Sequence, residues 1–86
     1  MGKLDDQVAI ITGGSGGIGK AAGKRFVEEG GQVMLVDVDE SALMAAVSDI
    51  GEENAAYSVA DVTDSDQTAA YVAATVEKFG GVDIAL

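Results

Sequence analysis

Three times along the chain a short apolar, partly β-branched run gives way to a glycine or aspartate and then to a stretch with apolar positions at helical spacing. Residues 7–12 (QVAIIT) form the first run, and the glycine cluster that closes it predicts a strand buried on both faces. Beyond the cluster, Ile18, Ala22 and Phe26, with Gly19, Gly23 and Val27 beside them, fall on one helical face. Lys20, Lys24, Arg25, Glu28 and Glu29 face away, and Gly30 and Gly31 end the helix. Residues 32–37 (QVMLVD) make the second run. Asp39 then serves as N-cap for a helix with Leu43, Ala46, Val47 and Ile50 on its inner side. Residues 55–60 (AAYSVA) make the third, followed by Thr63 or Asp64 as cap. The apolar stripe expected of this last helix is Ala69, Val72, Ala73, Val76 and Phe79, with Gly80 and Gly81 as its stop. Residues 82–86 read as the start of a fourth strand.

Alternating strands and helices of these lengths predict an α/β fold: a parallel sheet with right-handed crossovers and helices on both faces. The 86 residues are expected to form a single domain, 1–86. A chain of that length buries only roughly 60–65% of its unfolded surface, so bound ligand or self-association is expected to support it. Fifteen acidic residues against five basic ones give a formal charge of −10, which disfavours nucleic acid and anionic lipid as partners. The longest apolar runs, 8–11 and 33–36, are too short to cross a bilayer, and the start of the chain has no export-signal pattern. A cytoplasmic location without membrane contact is the resulting expectation. Cysteine and histidine are both absent, so disulfides, thiolate metal sites and imidazole chemistry are excluded.

Residues 12–19 read TGGSGGIG and lie between the first strand and the first helix. Glycines there supply positive φ and let the backbone approach a pyrophosphate, while the amides and dipole of the helix start stabilise negative charge. Two registers fit: Gly14, Gly16 and Gly19 satisfy G-x-G-x-x-G, and Gly13, Gly17 and Gly19 satisfy G-x-x-x-G-x-G. A glycine turn without a ligand fits the pattern about as well as a nucleotide site does. A Walker-type loop is disfavoured, because Lys20 is followed by Ala21 rather than by serine or threonine. Asp37 ends the second strand 18 residues after Gly19, where a carboxylate can accept both hydroxyls of an adenosine ribose. That placement predicts NAD over NADP, since a 2′-phosphate would meet a like charge. The competing reading of Asp37 is a cap for the helix that follows.

TGGSGGIG after an apolar strand, Asp37 after the second and Asp61-Val62 after the third resemble the short-chain dehydrogenase/reductase family over nearly the whole chain. The resemblance selects the second glycine register and implies that Gly13, Ser15, Gly17, Ile18 and Gly19 surround the pyrophosphate and nearby ribose. It further implies Asp37 on the adenosine ribose, and Asp61 and Val62 beside the adenine. Read without the family, Asp61 is equally a turn residue leaving a strand.

The family's catalytic serine, asparagine and Tyr-x-x-x-Lys pair would follow the fourth strand, and none is carried over. Tyr57 is followed four residues later by Asp61 and Tyr71 by Thr75, so no lysine sits where it would lower a hydroxyl pKa. Both tyrosines are expected to be packing residues. Ser15 has no base placed by sequence, and the acidic pairs 5–6, 28–29 and 52–53 read as solvated faces or caps, so no metal site is expected. The implied strand order is 3-2-1-4, with two helices on one face and the third on the other. That arrangement leaves apolar surface open, and two copies are expected to associate through strand 82–86, the third helix or both, as a homodimer or higher homo-oligomer. The expected function is a non-catalytic NAD-binding Rossmann half-domain. The alternatives are an oxidoreductase fragment active only with a complementing chain, or an oligomerising βα fragment.

Overall fold

The computed structural model describes residues 7–13 and 16–85. Strands β1 (Val8–Thr12), β2 (Gln32–Asp37), β3 (Ala55–Val59) and β4 (Ile84–Ala85) alternate with helices α1 (Gly17–Glu28), α2 (Glu40–Ile50) and α3 (Ser65–Phe79). The strands form one parallel sheet in the order β3-β2-β1-β4. Both the α/β class and the 3-2-1-4 order expected from the sequence are therefore observed.

Side chains alternate across the sheet with the two-residue period of a strand. Ala9, Ile11, Val33, Leu35 and Ala55 point to one face, where Phe26 of α1 and Leu43, Ala46 and Val47 of α2 cover them. Ile10, Met34 and Val36 point to the other, covered by Tyr71 of α3 and by Ala60. Burial on both faces is why these strands carry continuous apolar runs rather than alternating ones.

The elements begin and end where local chemistry dictates. The Asp39 side chain accepts from the Ala42 amide at 3.1 Å, capping α2. For α3 the cap is Asp64, which accepts from the amides of Asp66 at 2.9 Å and Gln67 at 3.3 Å. Gly80 closes that helix in the left-handed region at φ 90°, a conformation that costs glycine least. At the amino end of the sheet, Asp83 is bonded twice to Val8: its Oδ2 accepts from the Val8 amide and its own amide donates to the Val8 carbonyl, each at 2.8 Å.

Two expectations about apolar positions are corrected. Ile18 is 90% exposed on the first turn of α1, because that turn projects beyond the carboxyl end of the sheet and only Gly23 and Phe26 of this helix are buried. On α3 the expected stripe is out of phase: Ala69, Val72, Ala73 and Val76 are exposed, and the sheet receives Tyr71 and Thr75. The ring of Tyr71 buries more apolar area than a valine, and the Thr75 hydroxyl satisfies itself by donating to the Tyr71 carbonyl at 2.7 Å. A residue that looks polar in sequence thus enters the core at little cost. Phe79 packs against this core as expected.

Candidate functional site

The carboxyl ends of parallel strands form the open end of such a sheet, because each crossover leaves from there through a loop. At the end of β1, Gly13 turns the chain with φ 72°, and its amide donates to the Val36 carbonyl at 2.7 Å. The turn is closed by the Gly16 amide donating to the Gly13 carbonyl at 3.2 Å. Of the described turn glycines Gly13, Gly16 and Gly17, it is Gly13 that has positive φ. Ser15, expected at this site, lies outside the described residues, as does Gly14.

Helix α1 starts at Gly17 with no side-chain cap from Gly16 and no acid in its first turn. Its ladder begins with the Lys20 amide donating to the Gly16 carbonyl at 2.9 Å, so the amides of Gly17, Ile18 and Gly19 precede the ladder. This contrasts with α2 and α3, each of which is closed by an aspartate. With no side-chain cap from Gly16, this end carries the positive pole of a twelve-residue helix and suits an anion.

Asp37 is the last residue of β2 and stands beside Val59 in the register of β3. Its Oδ1 accepts from the Val38 amide at 2.7 Å, and its carbonyl accepts from the Ala60 amide at 2.9 Å. The capping role that competed for Asp37 belongs to Asp39. Val38 is 67% exposed beside it.

Beyond β3, Asp61 is held from several sides. Its amide donates to Gln67 Oε1 at 2.7 Å, and its Oδ1 accepts from the Thr63 amide at 2.9 Å and the Thr63 hydroxyl at 2.6 Å. The side-chain bond from Thr63, then the backbone one, holds the Asp61 carboxyl below its ordinary value, against a smaller opposing effect of desolvation. Val62 is half exposed next to it. Gln67 and Thr63 as anchors of this loop were not anticipated. The spacing of Asp64 and Gln67 is that of a capping box, which is the signal that could have found the glutamine.

The fold thus brings Gly13, Gly17, Ile18, Gly19, Asp37, Asp61 and Val62 to one end of three adjacent strands. Tyr57 and Tyr71 behave as packing residues: Tyr57 packs against the α1–α2 core and Tyr71 is buried in the α3 core. Desolvation, the hydrogen bond that the Tyr57 hydroxyl donates to Glu40 Oε2 at 3.2 Å and the Glu40 charge all raise the Tyr57 pKa. Among the described residues no group of three or more acids could hold a metal ion, and no helix is long and apolar enough to cross a membrane. A separate cleft of 490 Å³, lined by Met34, Ala56, Tyr57, Ala74, Glu77 and Lys78, lies toward the amino halves of β2 and β3.

The short chain dehydrogenase family model matches residues 7–86. Short-chain dehydrogenase reductase 3b of Arabidopsis thaliana is 45% identical over 83 residues, covering 95% of this chain and 32% of that protein. Levodione reductase of Leifsonia aquatica is 40% identical over 85 residues, covering 94% of this chain and 32% of the relative. A crystal structure of a short-chain dehydrogenase/reductase from Brucella melitensis superposes with a TM-score of 0.92 at 32% identity, over 98% of this chain and 36% of that one. The chain belongs to the short-chain dehydrogenase/reductase family of oxidoreductases. It spans about a third of the length of these relatives.

Proposed function

We propose that this chain binds NAD, holding the adenosine diphosphate part at the carboxyl ends of β1, β2 and β3. The observation that carries the reading is the pairing of an uncapped α1 start behind the Gly13 bend with Asp37 at the end of the adjacent strand. In this reading the pyrophosphate lies over Gly13, Ser15, Gly17, Ile18 and Gly19, and Asp37 accepts the ribose hydroxyls. Asp61 and Val62 flank the adenine, and the exposed side chains of Val38 and Val62 give it apolar contact. When bound, the nicotinamide would supply hydride transfer. The residues of this chain bind and orient, and neither tyrosine is suited to proton transfer: Tyr71 is buried, and Tyr57 is bonded to an acid that raises its pKa.

Calorimetric titration with NAD, NADP and ADP-ribose tests this. NAD and ADP-ribose should bind alike, NADP more weakly, and NADH should not be turned over on simple alcohols or ketones by this chain alone. Asp37→Ala should narrow the preference for NAD over NADP by roughly tenfold, the size of one charge-assisted contact. Heats near zero for all three ligands would reject binding and favour a structural role.

The exposed stripe of α3 favours a further reading, that two copies associate with Val72 and Val76, 38% and 46% exposed, at the contact. A monomer in light scattering at micromolar concentration would reject it.

A further inference from the structure

We infer that the acidic loops at the carboxyl ends of β2 and β3 make the dinucleotide site select by ligand charge, so that it takes oxidised NAD in preference to NADH at low ionic strength. This selection rests on the dinucleotide reading above and adds to it a dependence on redox form and on salt.

Two of the three loops at the carboxyl end of the sheet are acidic. Asp37 closes β2, Asp39 and Glu40 open α2, Asp61 follows β3, and Asp64 and Asp66 open α3. All but Asp37 are exposed. The cations lie elsewhere or are engaged. Lys20 is bound to Asp49 at 3.2 Å and Arg25 to Glu29 at 3.3 Å. Lys24 is exposed further along α1, and Lys78 is in the last turn of α3, toward the amino end of the sheet. No lysine or arginine stands between β1 and α1, between β2 and α2, or between β3 and α3. The pyrophosphate is therefore met by backbone amides, which carry no net charge, and the six carboxylates act on the ligand as a whole.

That field distinguishes two ligands which the contacts do not. In the reading above every contact is to the adenosine diphosphate half, which NAD and NADH share. They differ at the nicotinamide, whose ring carries a positive charge when oxidised and none when reduced. A carboxylate-lined end attracts that cation, and the attraction needs no nicotinamide pocket because it acts over the Debye length. One carboxylate at the distance of a neighbouring loop alters the ratio by less than about twofold in water. The six together give about fivefold at about 10 mM salt, where the Debye length is about 30 Å. At physiological salt that length is about 8 Å, the ratio falls below about twofold, and NAD and ADP-ribose bind alike, as expected above.

The test is calorimetric titration of the chain with NAD, NADH and ADP-ribose at about 10 mM and about 150 mM potassium chloride. Oxidised NAD should bind about fivefold more tightly than NADH at the lower salt and within about twofold of it at the higher. ADP-ribose, which lacks the ring and has the same net charge as NADH, should follow NADH at both. The triple variant Asp39→Asn, Glu40→Gln and Asp66→Asn changes no ligand contact of this reading, since asparagine still caps α2 and glutamine still accepts from Tyr57. Its low-salt ratio should fall to about twofold. Glu28→Gln, Glu52→Gln and Glu53→Gln together remove the same charge at the amino end of the sheet and should keep the ratio near about fourfold. Circular dichroism verifies that both variants keep the fold. A ratio that does not fall with rising salt, or ADP-ribose binding like NAD at low salt, would overturn selection by charge while leaving the NAD reading intact. An equal fall in the two triple variants would overturn its assignment to the carboxyl-end loops. Binding of none of the three ligands at either salt would overturn both readings.

Discussion

The two faces of the sheet are built differently. On the α1–α2 side the helices come close: a Cβ on Gly23 would sit 3.2 Å from both Ile50 and Leu35, and Leu43 is fully buried between helix and strands. On the other side a single helix covers the strands with Tyr71 and the partly buried Phe79, and its outer side leaves Val72 and Val76 exposed. The same helix borders the cleft beside Met34 and Ala56. The difference separates two jobs within one small domain. The close-packed face holds β1 and β2, whose ends carry the glycine turn and Asp37, against two helices. The lighter face carries α3, whose first turn holds the base loop.

Substitutions ranked by effect can break or sharpen this contrast. Leu43→Ala removes a fully buried side chain from the close-packed face and should cost about 2–5 kcal/mol in urea unfolding. A loss below about 1 kcal/mol would mean that face is looser than described. Gly31→Ala comes next. Its Cβ would fall on the Phe26 ring, so overpacking should cost roughly 1–3 kcal/mol by the same measurement. On the lighter side, Asp64→Ala removes the cap of α3 and should cost about 1 kcal/mol in urea unfolding. Val76→Asp should change stability by only about 0.5 kcal/mol while abolishing self-association in sedimentation. The smallest effect is on pH dependence. The Asp61 pKa is lower in the folded chain than the usual 3.8, so its contribution is present above that value and is lost as pH falls through the folded value. Asp61→Asn should therefore flatten the acid limb of the stability profile slightly.

Much of this organisation was legible in the sequence because two periodicities and a few caps determined it. β2 spans Gln32–Asp37, the segment the apolar run defined, Asp39 caps its helix as read, and of the two candidates Thr63 and Asp64 it is Asp64 that caps α3. The phase of α3 was not legible, because spacing alone scores Thr75 as polar and cannot foresee that its hydroxyl bonds to its own helix. Ile18 misled for the opposite reason: an apolar residue at a core-compatible spacing sits on a turn that reaches past the strands. At the candidate site the sequence located Gly13, Asp37 and Asp61 at strand ends. The hydrogen bonds that orient Asp61 depend on how the loop folds back on α3, which residue spacing alone hinted at only through Asp64 and Gln67.

The pair of bonds between Asp83 and Val8 joins residues 75 apart in sequence. Closing so large a loop is entropically costly, and it yields only a two-residue strand. In the order of folding events, β4 therefore docks late, after β1, β2 and β3 have zipped along shorter crossovers. Until the β4 segment has been synthesised, the side of β1 that it pairs with stays open, an edge exposed to non-native pairing.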